Sequence, residues 1–267
     1  MRVGFFATCP VDLLRPSVAF ASIKLLRQAG CQVSVPAQSC CGQLAYNNGE
    51  RDAAKKLAWC VVKDFCAFDY TVLPSGSCTG MIKHHYPKLF DGDVRLPEVQ
   101  RFCDGVFELN AFLVDVLNYR PAAPNLDASA IKICYHDSCA GLRELGIKSQ
   151  PRQLLAQCAR VELLEMQDTQ VCCGFGGTFC VKFPQISNKM ACDKLANARE
   201  AGADYLIGGD LSCLLHLAGK ARRQQRDDPH LRTLKLRHVV EVLAGDLETP
   251  PIGEKENGEK QKAASID

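Results

Sequence analysis

The sequence predicts an α/β protein of two pseudo-repeated halves, each a small parallel sheet with crossover helices and with cysteine sites at the carboxyl ends of the strands. Three features point there. Short apolar runs alternate with helix-periodic segments along the chain. The alternation restarts after a proline- and alanine-rich stretch at 121–129. A four-cysteine pattern occurs once per half: C-x30-CC-x36-C from Cys9 to Cys78, and C-x32-CC-x39-C from Cys139 to Cys213.

In the first half, residues 3–7 form an apolar run that reads as a buried parallel strand. Residues 16–29 follow at helical spacing, with Gly30 as the stop. A second strand is expected at 32–35, just before Cys40-Cys41. Residues 50–68 read as a helix with Leu57, Val61, Val62 and Phe65 on one face. A third strand at 70–73 ends at Pro74 and leads to Cys78. Helices are expected near 79–85 and 107–117. After the connector at 121–129 the second half repeats the scheme. Strands are expected at 131–135, 161–165 and 205–207, and helices at 151–159, 185–201, 214–223 and around 239–243. The domain expectation is therefore 1–120 for the first half, 130–245 for the second, and 246–267 as a disordered polar tail.

The chain has 267 residues, 47% hydrophobic and 23% charged, with a net charge of +2. Such a chain can bury a core without staples, and it carries no field suited to nucleic acid. Its apolar stretches are short and broken by charges such as Asp64 and Asp115, so no transmembrane segment is expected. The first ten residues hold a single basic side chain and too short an apolar run for a secretory signal. A cytoplasmic location is expected, in which the sixteen cysteines are reduced and serve metal or redox chemistry.

Each cysteine of the repeated pattern falls just past an expected strand. In an open parallel sheet those loops share one edge, where ligand sites are built. The candidate cofactor and metal ligands are Cys9, Cys40, Cys41 and Cys78 in one half, and Cys139, Cys172, Cys173 and Cys213 in the other. Four thiols suit soft or borderline metals, either zinc or an iron–sulfur cluster. Structural zinc usually takes short paired knuckles, which neither half has. Adjacent cysteines reach two irons of one cluster more easily than they chelate one ion. Gly42 and Gly174, next to the pairs, let backbone amides approach the sulfurs.

Cys31, Cys60, Cys66, Cys103, Cys134, Cys158 and Cys192 read as packing residues, and Cys180 is assigned to packing as well. His136 and His216 each lie three residues from a ligand candidate and stand out from His84-His85. The glycines of CCGFGG do not form G-x-G-x-x-G, so no NAD or flavin motif is present. No residue set argues for a catalytic group.

On Cys9, the two CCG triplets, Cys78, Cys139 and Cys213, the chain resembles the two-copy form of the cysteine-rich CCG domain. The cysteine-rich component of heterodisulfide reductase and the small iron–sulfur subunits of glycolate oxidase and anaerobic glycerol-3-phosphate dehydrogenase share that form. SCCGQLAYNNGERDAA, PSGSCTGMIKHHYPKLF, YHDSCAGLRELGIKSQPRQLL and CCGFGGTFCVKFPQIS are similar to the lactate-utilisation protein A family. The resemblance implies an iron–sulfur electron-transfer subunit of a cytoplasmic L-lactate-oxidising complex, which relays electrons and is not catalytic alone. It implies two partners, one iron–sulfur protein and one small protein, and one [4Fe–4S] cluster per half. Alternatives are a heterodisulfide-reductase-type thiol–disulfide subunit, a glycolate oxidase- or glycerol-3-phosphate dehydrogenase-type iron–sulfur subunit, and a zinc-binding scaffold. The heterodisulfide reductase component ends each set with C-x-x-C, whereas Met81 and His216 stand at those positions here. The missing thiols favour ordinary four-cysteine clusters.

Overall fold

The computed structural model describes residues 1–120, 130–159 and 161–254. The expected connector at 121–129 lies outside them. Eight strands form two four-stranded sheets. The first holds β1 (Arg2–Phe5), β2 (Gln32–Ser34), β3 (Tyr70–Leu73) and β4 (Val106–Glu108) in the order β2-β1-β3-β4. The second holds β5 (Ile131–His136), β6 (Val161–Leu164), β7 (Tyr205–Gly208) and β8 (Lys235–His238) in the order β6-β5-β7-β8. Every pairing is parallel. The order reverses between β1 and β3, and between β5 and β7. That reversal opens a crevice at the carboxyl edge of each sheet, where Cys9, Cys78, Cys139 and Cys213 emerge.

The helices cover the sheets as the apolar spacing dictates. Arg51–Phe65 buries Ala54, Ala58, Val61, Val62 and Phe65 along one face. Pro184–Glu200 takes the matching place in the second half and buries Ala191, Leu195 and Ala198, with Ser187 and Lys194 among them. The largest apolar cluster runs through both halves, from Val3, Phe5, Leu25 and Phe112 to Ile133, Leu206, Leu214 and Val240. A second cluster, with Phe6, Val61, Phe65, Tyr86 and Phe90, belongs to the first half.

Polar contacts close the seam between the halves. Arg15 Nε donates to Glu241 Oε1 at 2.8 Å, and Ser17 Oγ donates to the same oxygen at 2.7 Å. Ser75 and Asp210, each the cap of a cysteine-bearing helix, meet across the seam. The Ser75 hydroxyl donates to Asp210 Oδ2 at 3.1 Å, and the Ser77 amide donates to the same oxygen at 3.0 Å. A side chain at Gly76 would come within 2.8 Å of the Gly141 backbone, so the helices carrying Cys78 and Cys139 can touch because residue 76 is glycine.

Three expectations need correction. Residues 107–117 do not form one helix: β4 occupies Val106–Glu108, and the helical stretch starts at Leu109. β8 and the helix Leu96–Asp104 had no counterpart in the expected elements. The tail expected to be disordered from 246 onward is packed as far as 254. The Ile252 amide donates to Leu236 O at 2.8 Å, and Pro250 O accepts from Arg15. Residues 255–267 lie outside the described part.

Candidate metal centres

Cys9 opens the helix Cys9–Leu14 after β1, Cys40 and Cys41 sit in the loop after β2, and Cys78 lies in the helix Gly76–Gly80 after β3. Their thiols form a hydrogen-bonded chain, Cys9 to Cys40 to Cys41 to Cys78. Cys9 is exposed, Cys40 and Cys78 are half-buried and Cys41 is buried. The second half repeats this arrangement. Cys139 opens the helix Cys139–Arg143 after β5, Cys172 and Cys173 follow β6, and Cys213 lies near the start of Leu211–Asp227 after β7. Cys139, Cys172, Cys173 and Cys213 are linked in the same sequence. The structure thus brings all eight sulfurs predicted from the sequence into two groups of four.

Charge distributes alike in the two groups. The Cys40 thiol is pulled well below its ordinary value by hydrogen bonds from Cys41 and Cys9, aided by the Gly42 amide 3.4 Å from its sulfur. Cys172 is pulled down in the same way by Cys139 and Cys173, with the Gly174 amide at 3.3 Å. Cys9 and Cys139 are pushed up by the hydrogen bonds that they donate and by burial. Cys41 and Cys173 are pushed up likewise. In each group the sulfur that faces a glycine amide is therefore the one most readily held as a thiolate for a cation. Gly42 and Gly174 have φ of +82° and +88°, which aims their amides back at the sulfurs. A side chain at Gly174 would lie 2.6 Å from Ser187 O. These donors fit a soft metal or an iron–sulfur cluster.

The surroundings of the two groups differ. Around the first stand Phe6, Met81, Val61 and Ala54, all buried. Tyr86 adds a polar contact, its hydroxyl donating to Cys41 O at 2.9 Å. At the matching places of the second group stand His136, His216, Lys194 and Ser187. His216 Nε2 and Ser187 Oγ are 3.3 Å apart. Lys194, 2% exposed, donates to the carbonyls of Asp168 and Thr169. Burial pulls its ammonium below the ordinary value, and the Cys173 sulfur opposes that pull. His136 is 1% exposed, and neither ring nitrogen has a hydrogen-bond partner. One of its nitrogens and the sulfurs of Cys173 and Cys213 all lie within 4.8 Å of one another. Burial, with the Lys194 cation adding to it, pushes the imidazole down to about 3 and so holds it neutral.

All sixteen cysteines are free. Cys31, Cys103, Cys134 and Cys158 are buried in the core, as packing residues should be, and Cys103 Sγ donates to Ile82 O at 3.1 Å. Cys66, expected among core positions, is instead exposed at the end of its helix. Cys180 lies half-buried, with its thiol donating to Gly177 O at 3.1 Å. Sequence reasoning missed Lys194 and Ser187. A lysine on the apolar face of an otherwise regular helix was the available signal. Among the described residues, no helix is long and apolar enough to cross a membrane.

Comparison with known proteins agrees with the doubled architecture. Residues 3–83 and 133–218 each match the CCG family, described as a cysteine-rich domain. Lactate utilization protein A of Geobacillus sp. (strain WCH70) is 40% identical over 245 residues, covering 91% of this chain and 99% of that protein. The protein of that name from Geobacillus kaustophilus (strain HTA426) is 41% identical over 245 residues, covering 91% and 98%. A crystal structure of a hypothetical protein from Helicobacter pylori superposes with a TM-score of 0.64 over 97% of this chain and 50% of its own. At 10% identity that likeness is one of fold.

Proposed function

The chain belongs to the cysteine-rich CCG domain family and, within it, to the lactate utilization protein A family, and from that premise we propose that it is an iron–sulfur electron-transfer subunit of a cytoplasmic L-lactate-oxidising complex. The relatives' name supports a part in lactate utilisation. The observation that carries the electron-transfer reading is the twofold convergence of four thiols at the carboxyl edge of a parallel sheet.

In this reading Cys9, Cys40, Cys41 and Cys78 hold one [4Fe–4S] cluster, and Cys139, Cys172, Cys173 and Cys213 hold another. Such clusters supply one-electron transfer. The protein's own residues hold and tune them. The Gly42 and Gly174 amides direct positive dipoles at Cys40 and Cys172. Tyr86 fixes the backbone of Cys41. Buried Cys41, Cys173 and Cys213 form the dry inner walls, and Cys9 marks the open side of the first group. Lactate dehydrogenation is assigned to the assembled complex, with an iron–sulfur protein and a small protein as partners. At the positions of the extra cysteines of heterodisulfide reductase, Met81 is buried and His216 is engaged by Ser187, which disfavours disulfide chemistry.

Anaerobic purification followed by iron and acid-labile sulfide assay tests the proposal. Two filled sites give about eight irons per chain and a brown protein with a reduced-state EPR signal. Tightly held zinc with near-zero iron and sulfide would overturn it in favour of a zinc scaffold.

A further inference from the structure

Phe6 precedes Cys9 by three residues, and His136 precedes Cys139 by three. The two therefore occupy the same place in the repeated sheet. Phe6 is an ordinary core residue, 1% exposed and stacked 5.4 Å from the Phe65 ring. His136 is as deeply buried but has an imidazole where the other half has a phenyl ring. A neutral imidazole carries one N–H and one lone pair. Neither ring nitrogen of His136 has a protein partner. Leaving such groups unmet is a cost that natural structures rarely carry without a purpose.

The neighbouring polar side chains do not meet that need. His216 is occupied by Ser187, and Lys194 by two loop carbonyls. What His136 does face is sulfur: its nitrogen, Cys173 Sγ and Cys213 Sγ cluster within 4.8 Å. In the first half, the matching position holds Phe6, which offers no donor atom.

We propose that His136 is a nitrogen ligand of the second metal centre, beside Cys173 and Cys213, so that this half offers a mixed nitrogen–sulfur donor set and the first half an all-sulfur one. The inference rests on the reading that the second half holds a metal. Ligation satisfies the lone pair that the fold leaves open. His136 then stands as a neutral donor added to the four thiolates, where the first half has a phenyl ring, so the two centres of one chain are unequal.

The test uses the full chain, purified anaerobically and reduced, with natural and with 15N-labelled histidine. Pulsed EPR is expected to show a strongly coupled 14N nucleus that becomes 15N on labelling. The coupling should vanish in His136→Phe, which installs the first half's residue, while the signal of the first centre persists. About eight irons per chain with no histidine coupling, or a coupling that survives His136→Phe, overturns the ligation and leaves the electron-transfer reading intact. If the chain carries zinc and no iron, the electron-transfer reading falls. Ligation is then read on the same labelled protein from its ring 15N NMR resonances. A metal-bound His136 nitrogen supports the proposal, and a free neutral ring overturns it. The labelling arm needs no substitution and stays decisive if His136→Phe does not fold.

Discussion

The two cysteine groups share a scaffold and differ in their walls. Around the first, Phe6, Val61 and Met81 are buried and apolar; around the second, a His136 nitrogen lies within 4.8 Å of the Cys173 and Cys213 sulfurs, and the buried Lys194 acts on Cys173 through its charge. The same contrast recurs at the strand ends opposite the seam. Glu108 and His238 are matched caps: Glu108 accepts the amides of Asn110 and Ala111, and His238 Nδ1 accepts that of Val240. Burial pushes the Glu108 carboxyl up to about 7 and pulls the His238 imidazole below its ordinary value. Opposite chemistries thus reach the same end, a cap whose charged form burial disfavours. Repeated backbone geometry fixes where a thiol or a cap must stand. It leaves open which neighbours tune it, and there the halves have diverged.

The largest expected effect separates the groups outright. Cys41→Ser should lower iron from about eight to about four per chain and keep the second centre's signal, and Cys173→Ser should do the reverse. Loss of both signals from either change would mean one shared site. Next is the seam. Glu241 is fully buried and paired with Arg15 from the other half, so Arg15→Ala leaves an unpaired buried carboxylate and should cost about 3–5 kcal/mol. Denaturant unfolding should remain a single transition, and two resolved transitions would show that the halves are independent.

A pH effect of about 3 kcal/mol is expected from Glu108. Its folded value, about 7, lies above its ordinary 4.5. The unfolded chain therefore gives up this proton first, and stability falls as pH rises from about 4.5 through 7. His238 acts in the opposite sense, its contribution being lost as pH falls below its ordinary 6.5. Glu108→Gln should flatten the loss of Tm between about pH 5 and 8, and an unchanged slope would remove Glu108 from the explanation. The smallest effect belongs to Lys194→Met, which deletes the buried cation beside Cys172 and Cys173. The potential of the second centre should drop by on the order of tens of millivolts while the first stays in place. Equal shifts at both centres, read by redox titration, would contradict a local role.

Much of this was legible in the sequence because it rests on local pattern. The strands β1, β3, β5 and β7 are apolar runs, and the eight cysteines repeat at nearly fixed spacing behind them. β4 and β8 escaped notice because polar residues stand among their buried ones. Glu108 ends the first, and Lys-Leu-Arg-His makes the second, where Arg237 is 1% exposed and donates to Leu247 O at 2.8 Å. Apolar periodicity cannot flag a strand whose inner face is satisfied by hydrogen bonds. Lys194 escaped for a related reason, since the carbonyls that receive it come from a loop 25 residues away. His136 was noticed through its distance from Cys139. Its lack of partners became visible only once β5, Cys173 and Cys213 were placed together.

Arg15, Pro74 and Ser75 finish hydrogen bonds begun by Glu241, His238 and Asp210. A descendant that discarded the first copy would inherit a sheet rimmed with stranded acids and an idle imidazole. Individual cysteines can be lost, and a centre with them, while the scaffold survives. The scaffold is tied across the seam by bonds that need both copies.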